Sequence, residues 1–226
     1  MLFRQIALSL LGLIFTMGLT PVSALASIRD QEIAQCLPGE MSSWGDGQDR
    51  PAVASPMVFV YDHTAAPPWF TESLVLSAVK AAAVAWSRCG VGADVVSRPA
   101  GGAIAKGTIL VQWSDKSSAG NFGVANLTQP SLSLGPAAFQ MLKTRNPAHD
   151  ARETLQMVIS HEMGHLFGLI AHSRRCVDVT SYYNNGKGEQ CLLRDASQFR
   201  SVPEYRSALP TACDLQRCRR ANGNPQ

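Results

Sequence analysis

The stretch His161-Glu162-Met163-Gly164-His165-Leu166-Phe167-Gly168-Leu169-Ile170-Ala171-His172 holds three of the five histidines of this 226-residue chain. On a helix of 3.6 residues per turn, side chains four positions apart stand about 40° apart around the axis, so His161 and His165 leave one face and can share a cation. Glu162 follows the first histidine, where a carboxylate can stand beside a metal-bound water without entering the ligand set. Gly168 falls about 20° to the other side of His161, and its missing side chain lets the chain turn back beneath the metal. His172 comes just after that turn and is the expected third ligand. With this histidine and glutamate usage, an HExxH pattern arises by chance with a probability on the order of 0.3%, so the cluster is read as one site.

Asp150 is a plausible N-cap, and the active-site helix is expected from there to about Phe167. Leu155, Ile159 and Leu166 then lie on a face about 120° from the histidines, as a helix needs if one side packs on a sheet and another lines a cleft. Upstream, Met57–Tyr61 reads as a buried strand and Trp69–Arg88 as a long alanine-rich helix capped by Thr71. Ala93–Ser97 and Thr108–Trp113 read as further strands, the latter with a near-continuous apolar pattern. Asn121–Leu127 is expected as an edge strand, Ser131–Leu134 as the last strand, and Ala137–Lys143 as a turn or two of helix. The fold class is therefore α+β: a twisted mixed sheet of about five strands with a backing helix, an active-site helix and a small, irregular, disulfide-bearing C-terminal part.

Residues 1–26 combine Arg4, an apolar run from Ile6 to Leu19, Pro21 and the small-x-small Ala24-Leu25-Ala26, which is the pattern of a secretory signal peptide. The run is shorter than the roughly 20 residues that span a bilayer. A secreted or periplasmic protein, with no membrane attachment after cleavage, is expected. Residues 27–56, rich in Gly, Pro, Ser and Asp, read as an N-terminal extension with little regular structure, and 57–226 as the catalytic domain. Six cysteines suit an oxidising compartment. They allow 15 pairings, of which Cys176–Cys191, Cys213–Cys218 and, by elimination, Cys36–Cys89 are preferred. The formal charge of +3 is concentrated at Arg217, Arg219 and Arg220, read as a solvated tail. No basic stripe interleaved with aromatics suggests nucleic acid.

Three neutral imidazoles with one open position describe a catalytic Zn2+ site, because closed structural sites use four protein ligands. Zinc lowers the pKa of water towards 7, Glu162 takes the proton, and a polarised carbonyl is attacked. The stretch resembles the zinc helix of metzincin metallopeptidases, HExxHxxGxxH followed by a methionine-containing turn. The order of elements over residues 57–185 is similar to matrixin-like catalytic domains. The resemblance implies a zinc endopeptidase that takes a protein or peptide as an extended strand against Asn121–Leu127; with the leader, a secreted monomer is expected.

Two positions depart from the family pattern. Ala171 stands where the third histidine belongs and His172 follows one residue later, so the loop must bulge by one, with Asp178 as the leading substitute ligand. In Asp178-Val179-Thr180-Ser181-Tyr182-Tyr183, Thr180 takes the place of the methionine. Tyr182 matches a tyrosine that stabilises the oxyanion in some metzincins, or else it is packing. Arg88-Cys89-Gly90-Val91 resembles a cysteine switch but follows the first long helix, so Cys89 is read as a disulfide partner. His63 and His149 are expected in solvent or capping roles. A metallopeptidase-like binding protein without turnover, and a zinc amidase acting on cell-wall material, are the alternatives.

Overall fold

The computed structural model describes residues 26–99, 102–200 and 204–224. The expected leader lies outside the described residues except for Ala26. Among the described residues no helix is long and apolar enough to cross a membrane.

Five strands, β1 (Met57–Tyr61), β2 (Ala93–Ser97), β3 (Ile109–Trp113), β4 (Gly123–Asn126) and β5 (Ser131–Leu134), form one sheet in the order β2-β1-β3-β5-β4. The first four neighbours run parallel and β4 is antiparallel to β5 at the edge. The described residues also contain six α-helices: α1 (Ile28–Ala34), α2 (Glu72–Ser87), α3 (Asp115–Ser118), α4 (Pro136–Arg145), α5 (Ala151–Leu166) and α6 (Ala212–Ala221). The mixed five-stranded sheet, its flanking helices and the presence of disulfides, though not most of their pairings, are as expected. In β3, Ile109, Val111 and Trp113 are buried and Leu110 and Gln112 are half-buried. An apolar run does not by itself say that both faces are covered.

Helices α2 and α5 pack against each other and against the sheet. Thr71 caps α2 and Asp150 caps α5 through their side-chain oxygens. The contact is close because it is built from small residues: Ala78 and Ala82 of α2 are buried, and a Cβ on Gly164 would lie 2.7 Å from the Trp86 ring. The Trp86 indole donates to the Ser160 carbonyl at 2.9 Å and stacks on Phe167, centroids 5.7 Å apart. Leu155, Ile159 and Leu166 are fully buried. This packing sets the rotation of α5 and so the direction of its histidines.

Residues 27–34 and 211–221 carry helices that the sequence reading does not place. Ser27 and Asp30 form a capping box that starts α1 inside the expected irregular extension. Thr211 and Asp214 do the same for α6. The arginines of α6 are not all a solvated tail as expected: Arg217 is 5% exposed and forms a bidentate pair with Asp49, while Arg220 is exposed.

Only Cys176–Cys191 pairs as preferred; the others are Cys36–Cys213 and Cys89–Cys218. Residues five apart on a helix point about 140° away from each other. Cys213 and Cys218 therefore leave opposite sides of α6 and tie it to two different elements, the end of α1 and the end of α2.

Candidate metal centre

Helix α5 delivers His161 and His165 from adjacent turns, with ring centroids 5.0 Å apart. The chain then turns at Gly168, φ +104°, and brings His172 back to 5.2 Å from His161 and 4.9 Å from His165. One nitrogen from each ring lies within 4.8 Å of the other two.

What the remaining nitrogens do decides the chemistry. His161 Nδ1 faces the Val179 carbonyl, His165 Nδ1 the Leu169 carbonyl and His172 Nδ1 the Asp46 carboxylate, each at 2.7 Å. An acceptor at that distance requires Nδ1 to carry the proton, which leaves the Nε2 lone pair of each ring for a cation. The rings are half-buried by surface area. Burial holds His161 well below its usual range, helped by the charges of His165 and His172, and burial likewise lowers His165. Neutral imidazoles are the form that binds metal.

Glu162 lies beside this cluster, its carboxyl raised by burial although the His165 charge and the Ala125 N–H oppose the shift. Its Oε2 accepts from the Ala125 N–H at 2.8 Å. In an antiparallel edge strand alternate residues face the neighbour or the open side. Phe122 accepts from the Gly135 N–H on the β5 side, so Gly123 and Ala125 present their backbone groups to the open edge beside Glu162. Gly123 is needed there, because a Cβ would fall 2.6 Å from Val158 and 2.8 Å from Glu162. A cavity of about 240 Å³ adjoins the cluster, lined by Phe122, Met157, Val158, His161, Glu162 and Arg206 among others.

Tyr182 is drawn to the same place, its ring 4.6 Å from that of His172. Its hydroxyl donates to Asp46 Oδ2 at 2.8 Å. Burial and that bond push its pKa up to about 12, so it stays a donor at neutral pH. Asp46 also accepts the His172 backbone N–H at 3.0 Å through Oδ1. Partial burial alone would raise the Asp46 carboxyl, but Tyr182 and His172 as donors hold it below its usual range. Nothing in the sequence marked Asp46: it sits in Trp44-Gly45-Asp46-Gly47, which reads as a turn, and it meets His172 across 126 positions.

The remaining expectations resolve through α6. Thr180 donates its hydroxyl to Asp214 at 2.6 Å, and its methyl lies where a Cβ on Gly164 would approach to 2.9 Å. Asp214 also accepts the Val179 N–H at 2.9 Å, fixing the residue whose carbonyl holds His161. Threonine thus suits a position where a helix cap supplies an acceptor. Asp178, the substitute ligand, is not directed to the histidines. It is fully buried and accepts from Ser173, Arg175 and Thr211 at 2.6, 3.0 and 2.6 Å. His63 and His149 join Tyr61 and Thr154 instead, at 2.6 and 2.7 Å.

Asp178 also yields a stability prediction. Burial, and then the neighbouring Asp214 carboxylate, push it up to about 7 against its donors. Between about pH 4, where an unfolded aspartate ionises, and about pH 7, the folded chain holds a proton that the unfolded chain has released. Its contribution therefore falls as pH rises through that window and levels off above it. Melting temperatures from pH 5 to 8 are expected to decline more steeply in the parent than in Asp178→Asn, which cannot titrate.

The sequence matches no protein-family model and no curated protein. Among solved structures, one described as the GM1 bound form of the ECX AB5 holotoxin is similar at a TM-score of 0.46 and 13% identity, covering 84% of this chain and 92% of that chain. A likeness this distant leaves the chemistry to be argued from the chain's own residues.

Proposed function

We propose that this protein is a secreted zinc-dependent endopeptidase of metzincin type, with His161, His165 and His172 as zinc ligands and Glu162 as general base. The observation that carries it is the convergence of three imidazoles whose other nitrogens are all tied to acceptors, beside the half-buried Glu162 carboxylate that faces the adjoining cavity. Three neutral nitrogen donors at one corner suit zinc with a position left for substrate. Bound there, zinc would act as a Lewis acid on the scissile carbonyl and as an activator of water.

The chain's own residues supply the rest. The open edge of β4, where the Ala125 N–H is held by Glu162, offers its remaining backbone groups to an extended peptide lying along it, bringing a main-chain carbonyl past Glu162. Glu162 accepts the proton of the attacking water and returns it to the departing amine. Tyr182, by its resemblance to the family's tyrosine, would donate to the oxygen that gains charge, for which its hydroxyl must leave Asp46. The cavity beside His161 accommodates one substrate side chain.

The test is a zinc titration coupled to proteolysis. About one equivalent of zinc per chain is expected, with cleavage of casein that a chelator stops and zinc restores. His161→Ala should take up far less metal and cleave nothing. Full zinc uptake without hydrolysis of a broad peptide library would sink the enzymatic reading. Release of peptidoglycan fragments with casein untouched would transfer the activity to cell-wall amides.

A further inference from the structure

Residues 42–53 lie antiparallel along the loop that carries His172. Arg174 donates its N–H to the Ser42 carbonyl, Trp44 to His172, Arg50 to Gly168 and Val53 to Leu166, at 3.0, 2.9, 3.0 and 3.0 Å. The fit leaves no spare room: a Cβ on Gly168 would fall 2.0 Å from the Arg50 carbonyl oxygen, and one on Gly47 would fall 2.9 Å from the Ile170 side chain. Asp49 fastens the strap further by accepting the Ala171 N–H at 3.1 Å and pairing with Arg217 of α6.

Within this strap the Asp46 side chain hydrogen-bonds a histidine of the cluster. His161 and His165 are oriented by backbone carbonyls of Val179 and Leu169, which any residue at those positions would supply. His172 is oriented by a side chain. One carboxylate grips both its backbone N–H and its ring Nδ1, and Tyr182 braces the same oxygen. A histidine on a loop otherwise has two free side-chain torsions and two nitrogens to present, and ordering them would cost free energy when an ion binds.

We propose that Asp46 is a positioning residue of the metal centre, and that docking of the 42–53 strap and binding of metal are therefore coupled equilibria. This rests on the three-histidine reading above and adds to it a partner for the third ligand. The coupling is reciprocal: a strap that orients His172 strengthens metal binding, and bound metal holds the strap down by the same factor.

The experiment uses the purified protein and zinc alone, with affinity read by competition against a chromophoric chelator. Asp46→Ala is expected to bind zinc about 10- to 100-fold more weakly. Asp46→Asn keeps an acceptor for the backbone N–H but not the anion, and should fall between the two. In a His172→Ala background, Asp46→Ala should change affinity less than about 2-fold, because the ligand it serves is gone. Zinc should slow amide exchange in residues 42–53 of the parent and do so far less in Asp46→Ala. A purely structural role predicts a lower melting temperature with unchanged zinc affinity. Equal affinity of Asp46→Ala and the parent overturns the coupling while leaving the peptidase reading intact, whereas a parent that takes up no zinc overturns both.

Discussion

Glu162→Gln is expected to lower peptide hydrolysis by at least 10²- to 10⁴-fold, the usual contribution of a positioned general base, while zinc stays bound. Glutamine is the informative replacement because of what Glu162 touches. Its Oε2 accepts the Ala125 N–H, a bond that an amide oxygen of the same reach can also accept, so β4 and α5 should remain in register. The side-chain volume beside Val158 and Gly123 is nearly unchanged. What is lost is the lone pair that takes the proton, equivalent to about 3–5 kcal/mol of barrier. Rates, zinc content and melting temperature of parent and variant decide the matter together. A variant that cleaves as fast as the parent removes Glu162 from the mechanism, and one that loses zinc shows instead a disturbed cluster.

The second large effect is structural. Gly168→Ala places a side chain on a residue at φ +104°, a conformation that only glycine adopts readily, and aims its Cβ at the Arg50 carbonyl oxygen 2.0 Å away. The neighbour is backbone within a strap held by several hydrogen bonds and cannot rotate aside. A loss of about 3 kcal/mol or more is expected, or a fall in melting temperature of about 10 °C for a domain of this size. Gly186→Ala is the control. It shares a positive φ of +69° but meets no atom within 4 Å, so only the backbone strain of about 1 kcal/mol remains. Equal melting temperatures for the two variants would show that the strap does not press on Gly168. Weaker zinc binding in Gly168→Ala is expected as well, since the same turn returns His172 to the cluster.

These two residues stand out in the sequence through their local setting within one or two helical turns, although the press of the strap on Gly168 comes from Arg50, far along the chain. Glu162 stands next to a histidine of an i, i+4 pair, and Gly168 stands where that helix must stop. The same kind of local information placed α5 and the five strands within a residue or two and α2 within three, since caps and the 3.6 and 2.0 periodicities are contained in short windows. The capping boxes at Ser27 and Thr211 were equally local and could have been read. They were obscured by a Gly- and Pro-rich setting at one end and by a cluster of arginines at the other.

Asp46 was not legible in this way. An aspartate between two glycines is what any turn contains, and its meaning comes from His172 and Tyr182, 126 and 136 positions away. The cysteines repeat the point: the 15-residue pairing of Cys176 with Cys191 was inferred, while Cys36–Cys213 and Cys89–Cys218, separated by 177 and 129 positions, were not. From the sequence alone come the helix that presents His161 and His165, the carboxylate beside them and the turn that follows. The place of His172 beside them involves Asp46 of the strap, 126 positions away. Local hydrogen bonding and side-chain period act over a few residues, whereas the fit of one backbone against another exists only once the chain has closed on itself.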